Sequence, residues 1–315
     1  MIGEVRRLVV AGSVIVDLMT RVPHLPERGG DVLAGDVRAQ AGGGFNVLAA
    51  AARLGLPAAL AGRVGSGPLA DVVRAALAHE GVAVLLPAVA GEQGFCVGMV
   101  EPDGERTFVT APGIESRLTP ADLDGVRLLP GDVLYVSGYD LLYPVAGPAL
   151  AAWLTGAAAA WPVVFDPGPL VAEIPDAVLD TILPRVDILA LNTREMALLS
   201  GQPAEARTPG VLAELRPEAI VLVRDGEHGT LLVRPGQSLV RVPAPHVADV
   251  LDTTGAGDTH TGAFLAELAR GADPQEATRV ANVAAALSIR TMVSAGGPTR
   301  ADLDAALADA APTPA

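Results

Sequence analysis

Apolar and polar residues follow two rhythms along this chain. Through the first third the rhythm is mostly that of strands. Leu8–Val10 is a short apolar strand, and Gly12–Asp17 carries it into a turn region. Residues 18–40 alternate apolar and polar around Pro23, Pro26 and Gly29-Gly30, which predicts a small strand pair. Gly94–Val100 and Arg106–Thr110 flank the turn sequence Glu101-Pro102-Asp103-Gly104-Glu105, which predicts a hairpin. Together these segments predict a small sheet without helices of its own, contributed by about 14–40 and 94–111. Two helices interrupt the strands. One opens at Asn46 and closes at Gly55; the other spans Pro68–Glu80 and stops at Gly81.

From about residue 118 the rhythm changes to short solid apolar runs separated by helical segments. Val133–Val136, Val163–Phe165, Val186–Leu191, Ile220–Val223 and Thr230–Val233 read as strands. Pro144–Ala160, Pro175–Leu183, Ala263–Arg270 and Pro274–Val293 read as helices. Such alternation predicts an α/β fold: a three-layer, open, mostly parallel sheet with helices on both faces. No linker separates independent units, so residues 1–315 read as one domain carrying the small sheet, with a frayed Pro-Thr-Pro-Ala tail.

Composition narrows the partners. The net charge of -14 and the absence of any basic run disfavour nucleic acid and anionic membranes, while leaving room for a local anion site. Gly147–Phe165 is free of charge but broken by Pro148, Gly156 and Pro162, so it fits a buried helix and strand better than a membrane span. The amino terminus lacks the long apolar region and cleavage site of a secretory leader, and the expected location is the cytoplasm. Cys96 is the only cysteine, and the 5 histidines show no ligand spacing. All 22 basic residues are arginine. A Walker-A loop, a protein-kinase site and a lysine Schiff base therefore lack their amine. The glycine clusters also do not form GxGxxG after the first strand, which excludes a dinucleotide-binding dehydrogenase.

Candidate chemistry concentrates in Val247–Arg270, where an extended stretch meets Asp252-Thr253-Thr254-Gly255-Ala256-Gly257-Asp258 and then a helix. A helix beginning on glycines offers bare N–H groups and a positive dipole end to an anion. Asp258 would repel a merely bound anion. It makes sense if the anion is reacted upon and the carboxylate takes a proton from the attacking hydroxyl. An Asp-capped helix after a tight turn is the plainer reading of GAGD taken alone.

DTTGAGDT resembles the carboxy-terminal signature of the ribokinase-like (PfkB) family of sugar and nucleoside kinases, and the resemblance extends over most of the chain. It implies an ATP-dependent phosphotransferase acting on a terminal hydroxyl of a small sugar, with Asp258 as general base and the Gly255, Ala256 and Gly257 turn as anion hole. The small sheet would be the lid that closes over the sugar. Asp17, Gly42, Gly43, Asn46 and Arg106 would face the substrate. Gly43 stands where relatives often have lysine, and Phe45 where they often have a small residue. Asn192 and Glu195 read from the residues as a capping box; they also match the family's Asn-x-x-Glu element, implied to organise Mg²⁺ through water. Arg224, Gly226 and Gly229 match its nucleotide loop, with Arg224 in place of the usual Thr or Ser, and Asn282 matches its adenine-side asparagine. Asp252 and Ser294–Gly297 correspond to where some relatives bind a monovalent cation, and K⁺ stays open here. Open too are a nucleoside kinase with a base beside Phe45, Phe95 and Tyr139, a non-catalytic nucleotide- or sugar-binding module, and a homodimer through the lid sheet.

Overall fold

The computed structural model describes residues 4–200, 215–234 and 236–309; the tail expected to fray lies outside them. The strands, in chain order, are β1 (Arg7–Val10), β2 (Val14–Arg21), β3 (Val37–Gly43), β4 (Ala58–Leu60), β5 (Ala83–Val84), β6 (Phe95–Val100), β7 (Arg106–Ala111), β8 (Asp132–Ser137), β9 (Val163–Asp166), β10 (Ile188–Asn192), β11 (Ile220–Arg224), β12 (Thr230–Val233) and β13 (Val240–Val242). They form a 9-stranded sheet in the order β13-β12-β11-β10-β9-β8-β1-β4-β5 and a 4-stranded sheet in the order β3-β2-β6-β7. In the large sheet β5 to β11 run parallel, and β12 and β13 return antiparallel at one edge.

Successive side chains of the central strands point to opposite faces, and both faces are buried. Leu8 and Val10 join one core with the helices Gly44–Arg53, Ala256–Ala269 and Pro274–Ser288. Val9 joins the other with Ala146–Thr155 and Asp176–Ile182. The same switch occurs at Leu134, Tyr135 and Val136. This is the three-layer arrangement that the strand and helix alternation predicts. Among the described residues no helix is long and apolar enough to cross a membrane.

Several boundaries differ from the sequence reading. Gly12–Asp17 is not a turn region. Val14 already begins β2, and Val14 and Val16 alternate into the core while Asp17 faces the other way, opposite Gln40 of β3 and Cys96 of β6. The predicted Pro144–Ala160 helix is shorter. Tyr143 before Pro144 is extended, as a residue preceding proline tends to be, so a short helix Gly138–Leu142 ends there. A second helix then runs only over Ala146–Thr155 and stops at Gly156. The helix expected over Ala263–Arg270 starts earlier, at Ala256, so Gly257 and Asp258 lie in its first turn. The predicted Pro274–Val293 helix ends at Ser288, and a further helix, Arg300–Asp309, carried no signal that the sequence reading used.

Candidate active site

The site begins with two helices brought unusually close. Gly262 has no side chain, and a Cβ there would lie 2.7 Å from Ala50 Cβ and 3.0 Å from Ala51 N. Small residues at the crossing therefore let the Gly44–Arg53 and Ala256–Ala269 helices approach to backbone contact. Their amino-terminal ends converge, and Asn46 Nδ2 donates to Asp258 Oδ2 at 3.1 Å. Asn46 is buried, yet its Oδ1 has no partner. Thr254 Oγ1 is orphaned in the same way. An unpaired buried acceptor carries an energetic cost, so such atoms mark where a ligand's polar groups would complete the network.

Gly255 makes the turn into the second helix. It is left-handed at φ 74, and a Cβ would strike Ser294 O, so both its conformation and its surroundings require glycine. The Ala256 N–H reaches back to Thr253 O at 3.3 Å. The N–H groups of Gly255 and Gly257 have no protein acceptor among the described residues. Two of the three amides expected to form the anion hole are thus unpaired, whereas that of Ala256 is engaged by a long bond.

Beneath the turn, the carboxyl ends of β9, β10 and β11 deliver one guanidinium and two carboxylates. Arg224 donates to Asp166 Oδ2 at 2.9 Å, to Gly257 O at 2.9 Å and to Thr261 Oγ1 at 3.3 Å, and lies 3.8 Å from Glu195. Asp166 escaped the sequence reading. Its signal was a single acid closing a parallel strand, at the sheet end where ligands bind. Burial, with the charge of Asp166 behind it, pushes the Asp258 carboxyl up to about 7 against the opposing pull of Asn46 and Arg224. Burial, then Asp166, likewise raises Glu195 against the pull of Arg224. Three carboxylates share the Arg224 charge, with Arg194 acting more weakly on Glu195, so the cluster stays electronegative unless a proton or a metal balances it.

The small sheet supplies the opposite wall. Asp17 enters it because Gly42, across on β3, has no Cβ to collide with the carboxylate. Ser294 Oγ donates to Asp17 Oδ2 at 3.1 Å and accepts from Gln40 Nε2 at 2.6 Å. Burial pushes Asp17 up to about 6 despite the Ser294 hydrogen bond. Gly43 ends β3 with φ 62 and is exposed. Arg106, at the start of β7, lies 2.9 Å from Asp252 Oδ1 and donates to Thr253 Oγ1 at 3.3 Å. Phe45, one of the three aromatic rings considered for a base, is buried in the core; Tyr139 is 41% exposed.

The remaining expected residues lie close by or are occupied internally. Glu195 N donates to Asn192 Oδ1 and Asn192 N to Glu195 Oε2, each at 2.8 Å, which is the reciprocal capping box. No group of three or more His, Cys, Asp or Glu among the described residues could hold a metal by itself. The donor set fits Mg²⁺ held mainly by phosphate oxygens and water, with Glu195 and Asn192 behind the water. Gly226 and Gly229 form the turn between β11 and β12, both at positive φ. The Asn282 amide donates to Val242 O and Pro243 O and accepts from Thr230 Oγ1. Any influence of Asn282 on an adenine would therefore pass through the Val242-Pro243 backbone. His260, buried beside Thr230, is pushed down to about 3 by burial and is a neutral packing residue.

Comparison with known proteins gives this arrangement its place. Residues 5–299 match the family described as pfkB family carbohydrate kinase. The chain is 33% identical over 300 residues to the uncharacterized sugar kinase YegV of Escherichia coli K12, covering 94% of this chain and 92% of that one. The structure superposes on ribokinase of Thermotoga maritima with a TM-score of 0.81 at 23% identity, covering 96% of this chain and 99% of that one. It superposes on Arabidopsis thaliana ribokinase complexed with ribose and ATP with a TM-score of 0.78 at 25% identity, with the same coverage. The chain belongs to the pfkB family of carbohydrate kinases and has the ribokinase fold.

Proposed function

We propose that this kinase transfers the γ-phosphoryl group of ATP to a terminal CH₂OH of a small sugar, with Asp258 as the general base. The observation that carries the proposal is the Asn46–Asp258 contact beside the Gly255 turn: an amide that orients the carboxylate and keeps its own oxygen buried and unpaired. That free Oδ1 accepts a sugar hydroxyl, and Asp17 accepts another from the opposite wall. Gly42 and Gly43 leave room for the ring. Asn46 holds Asp258 Oδ2, which leaves Oδ1 to receive the proton as the sugar oxygen bonds to phosphorus and the bond to the ADP oxygen breaks. The unpaired amides of Gly255 and Gly257, with Ala256 between them, face the charge gathered on the equatorial oxygens.

On the nucleotide side, the Gly226–Gly229 turn and the Val242-Pro243 segment held by Asn282 flank the base and ribose, while Arg224 keeps its charge under the phosphates. Mg²⁺, held through water by Asn192 and Glu195, would neutralise phosphate charge. The small sheet acts as a lid that excludes water, the competing acceptor. Leu33, Val37, Phe108 and Val109 stay exposed on or beside it, and they support a homodimer through this sheet, which light scattering at assay concentration tests.

The titrating experiment is ATP consumption across pentoses, hexoses, keto-deoxy acids and nucleosides. Turnover of at least one sugar with a terminal CH₂OH is expected. Nucleosides are included because Tyr139 leaves a ring open to a base. ATP or sugar binding without consumption of any acceptor would turn the reading to a binding module.

A further inference from the structure

The family resemblance allows a monovalent cation at Asp252, but that carboxylate already has a cation. Arg106 brings its Nη2 to 2.9 Å from Asp252 Oδ1, and its Nη1 donates to Thr253 Oγ1 at 3.3 Å. The same Oδ1 accepts the Thr254 N–H at 2.8 Å. The pair is partly withdrawn from water, with the arginine side chain 21% and the aspartate 12% exposed, so salt screens it less than a surface pair. A guanidinium and an amide thus occupy Oδ1 of the carboxylate, the same guanidinium also holding the Thr253 hydroxyl, and Asp252 is a poor ligand for K⁺.

We propose that Arg106 is a built-in replacement for the monovalent cation, making this chain independent of K⁺ and tying the anion hole to the lid. The consequence follows from where the two partners stand. Arg106 starts β7, an edge strand of the small sheet, and Asp252 starts the Asp252–Thr254 segment that runs into Gly255. When the lid is down, the guanidinium neutralises the acid at the head of that segment and fixes Thr253 and Thr254. When it lifts to admit sugar, the loop loses this counter-ion. Asp17 and Gln40 reach Ser294 from the same sheet, and Ser294 O packs on Gly255, so the lid touches the glycine turn from two sides. Arg106 is a positioning residue here, acting on the turn through Asp252.

The test compares KCl with tetramethylammonium chloride at equal ionic strength, on wild type, R106Q and R106K. Wild-type kcat and melting temperature are expected to be the same in both salts, within about twofold for kcat. R106Q is expected to lose about tenfold in kcat in tetramethylammonium. KCl should restore part of that loss and raise its melting temperature selectively, with R106K between the two. The turnover arm rests on the proposed phosphoryl transfer; the melting arm does not, so a failure of that reading leaves the ion-pair result intact. Strong K⁺ activation or K⁺-specific stabilisation of wild type overturns the proposal. So does an R106Q protein that matches wild type in both salts, or one whose loss K⁺ leaves untouched.

Discussion

On the floor of the cleft, Asp166, Arg224, Gly257 and Thr261 are joined by hydrogen bonds of 2.9 to 3.3 Å at the ends of parallel strands and the first two turns of a helix. The wall above is held differently. The small sheet meets the body at this cleft through Asp17 and Gln40 on Ser294, and through Arg106 on Asp252 and Thr253. Buried, multiply bonded charge fixes geometry at a high cost of disruption. A few partly exposed polar contacts can break and re-form. In the proposed mechanism the base thus stands on the more densely bonded part, and the Asp17 side of sugar recognition on the part held by fewer contacts.

The sharpest break between the two halves is D258N. A loss of about 10²–10⁴-fold in kcat is expected, with the KM for ATP nearly unchanged. Stability should move the other way. A carboxyl raised to about 7 in the fold holds its proton where the unfolded chain, near 3.8, has released it. Wild-type stability from this group is therefore full at low pH and lost as pH rises between those values. D258N, which has no proton to lose, is expected to melt no lower than wild type at pH above 7. For the same reason wild-type kcat/KM should rise with pH through about 7 as the base ionises. A flat profile there, or near-normal turnover in D258N, removes Asp258 from the scheme.

G255A attacks the floor through its backbone. It forces a left-handed position onto alanine and pushes a methyl into Ser294 O, so the turn must shift. A loss of about 10²–10³-fold in kcat is expected, as when an oxyanion donor is misplaced. An active G255A enzyme would mean that the turn does not hold the phosphoryl oxygens.

R224M removes the guanidinium that bonds Asp166 and lies 3.8 Å from Glu195. Leaving Asp166 and Glu195 unpaired is expected to cost about 3–5 kcal/mol, read by denaturant unfolding at pH 8. Arg224 also opposes the rise of the Asp258 carboxyl, so the pH–rate limb should shift upward in this variant. Unchanged stability together with an unchanged limb would show that the floor is not a single charge network.

How much of this was legible in the sequence follows the same division. Gly255 could be read because local chain geometry requires glycine where φ is positive and a helix begins, whereas the roles expected of Asp258 and Asn46 rest on the family resemblance of the stretches that carry them. The alternation after residue 118 likewise gave the layered sheet, since parallel strands buried on both faces leave solid apolar runs. What escaped was long-range pairing. Nothing near Asp166 in the chain indicates that Arg224 will reach it, and a lone acid before proline reads first as a turn residue. Arg106 could be assigned to the substrate side only while its partner was unknown; folding puts Asp252 opposite it. The backbone around Asp17 was read as a turn because Gly12 and Ser13 look like one, whereas Val14 already begins β2. The room that Gly42 leaves for the Asp17 carboxylate exists only once β2 and β3 pair.

The wall yields the smallest and most selective effect. D17N keeps the shape of the side chain and removes its charge. It should raise the KM for the sugar by about tenfold while kcat stays within about threefold and the KM for ATP is unchanged, the pattern of lost uniform binding. Its pH dependence separates recognition from folding damage. The Asp17 carboxyl, pushed up to about 6 by burial, takes on a proton as pH falls through that value and loses an acceptor for the sugar hydroxyl. Wild-type KM for the sugar should therefore climb below about pH 6, and D17N should show no such climb. A merely loosened lid would raise KM at every pH and leave the climb in place. Persistence of the climb in D17N would move sugar recognition off this wall and onto Asn46 and the floor.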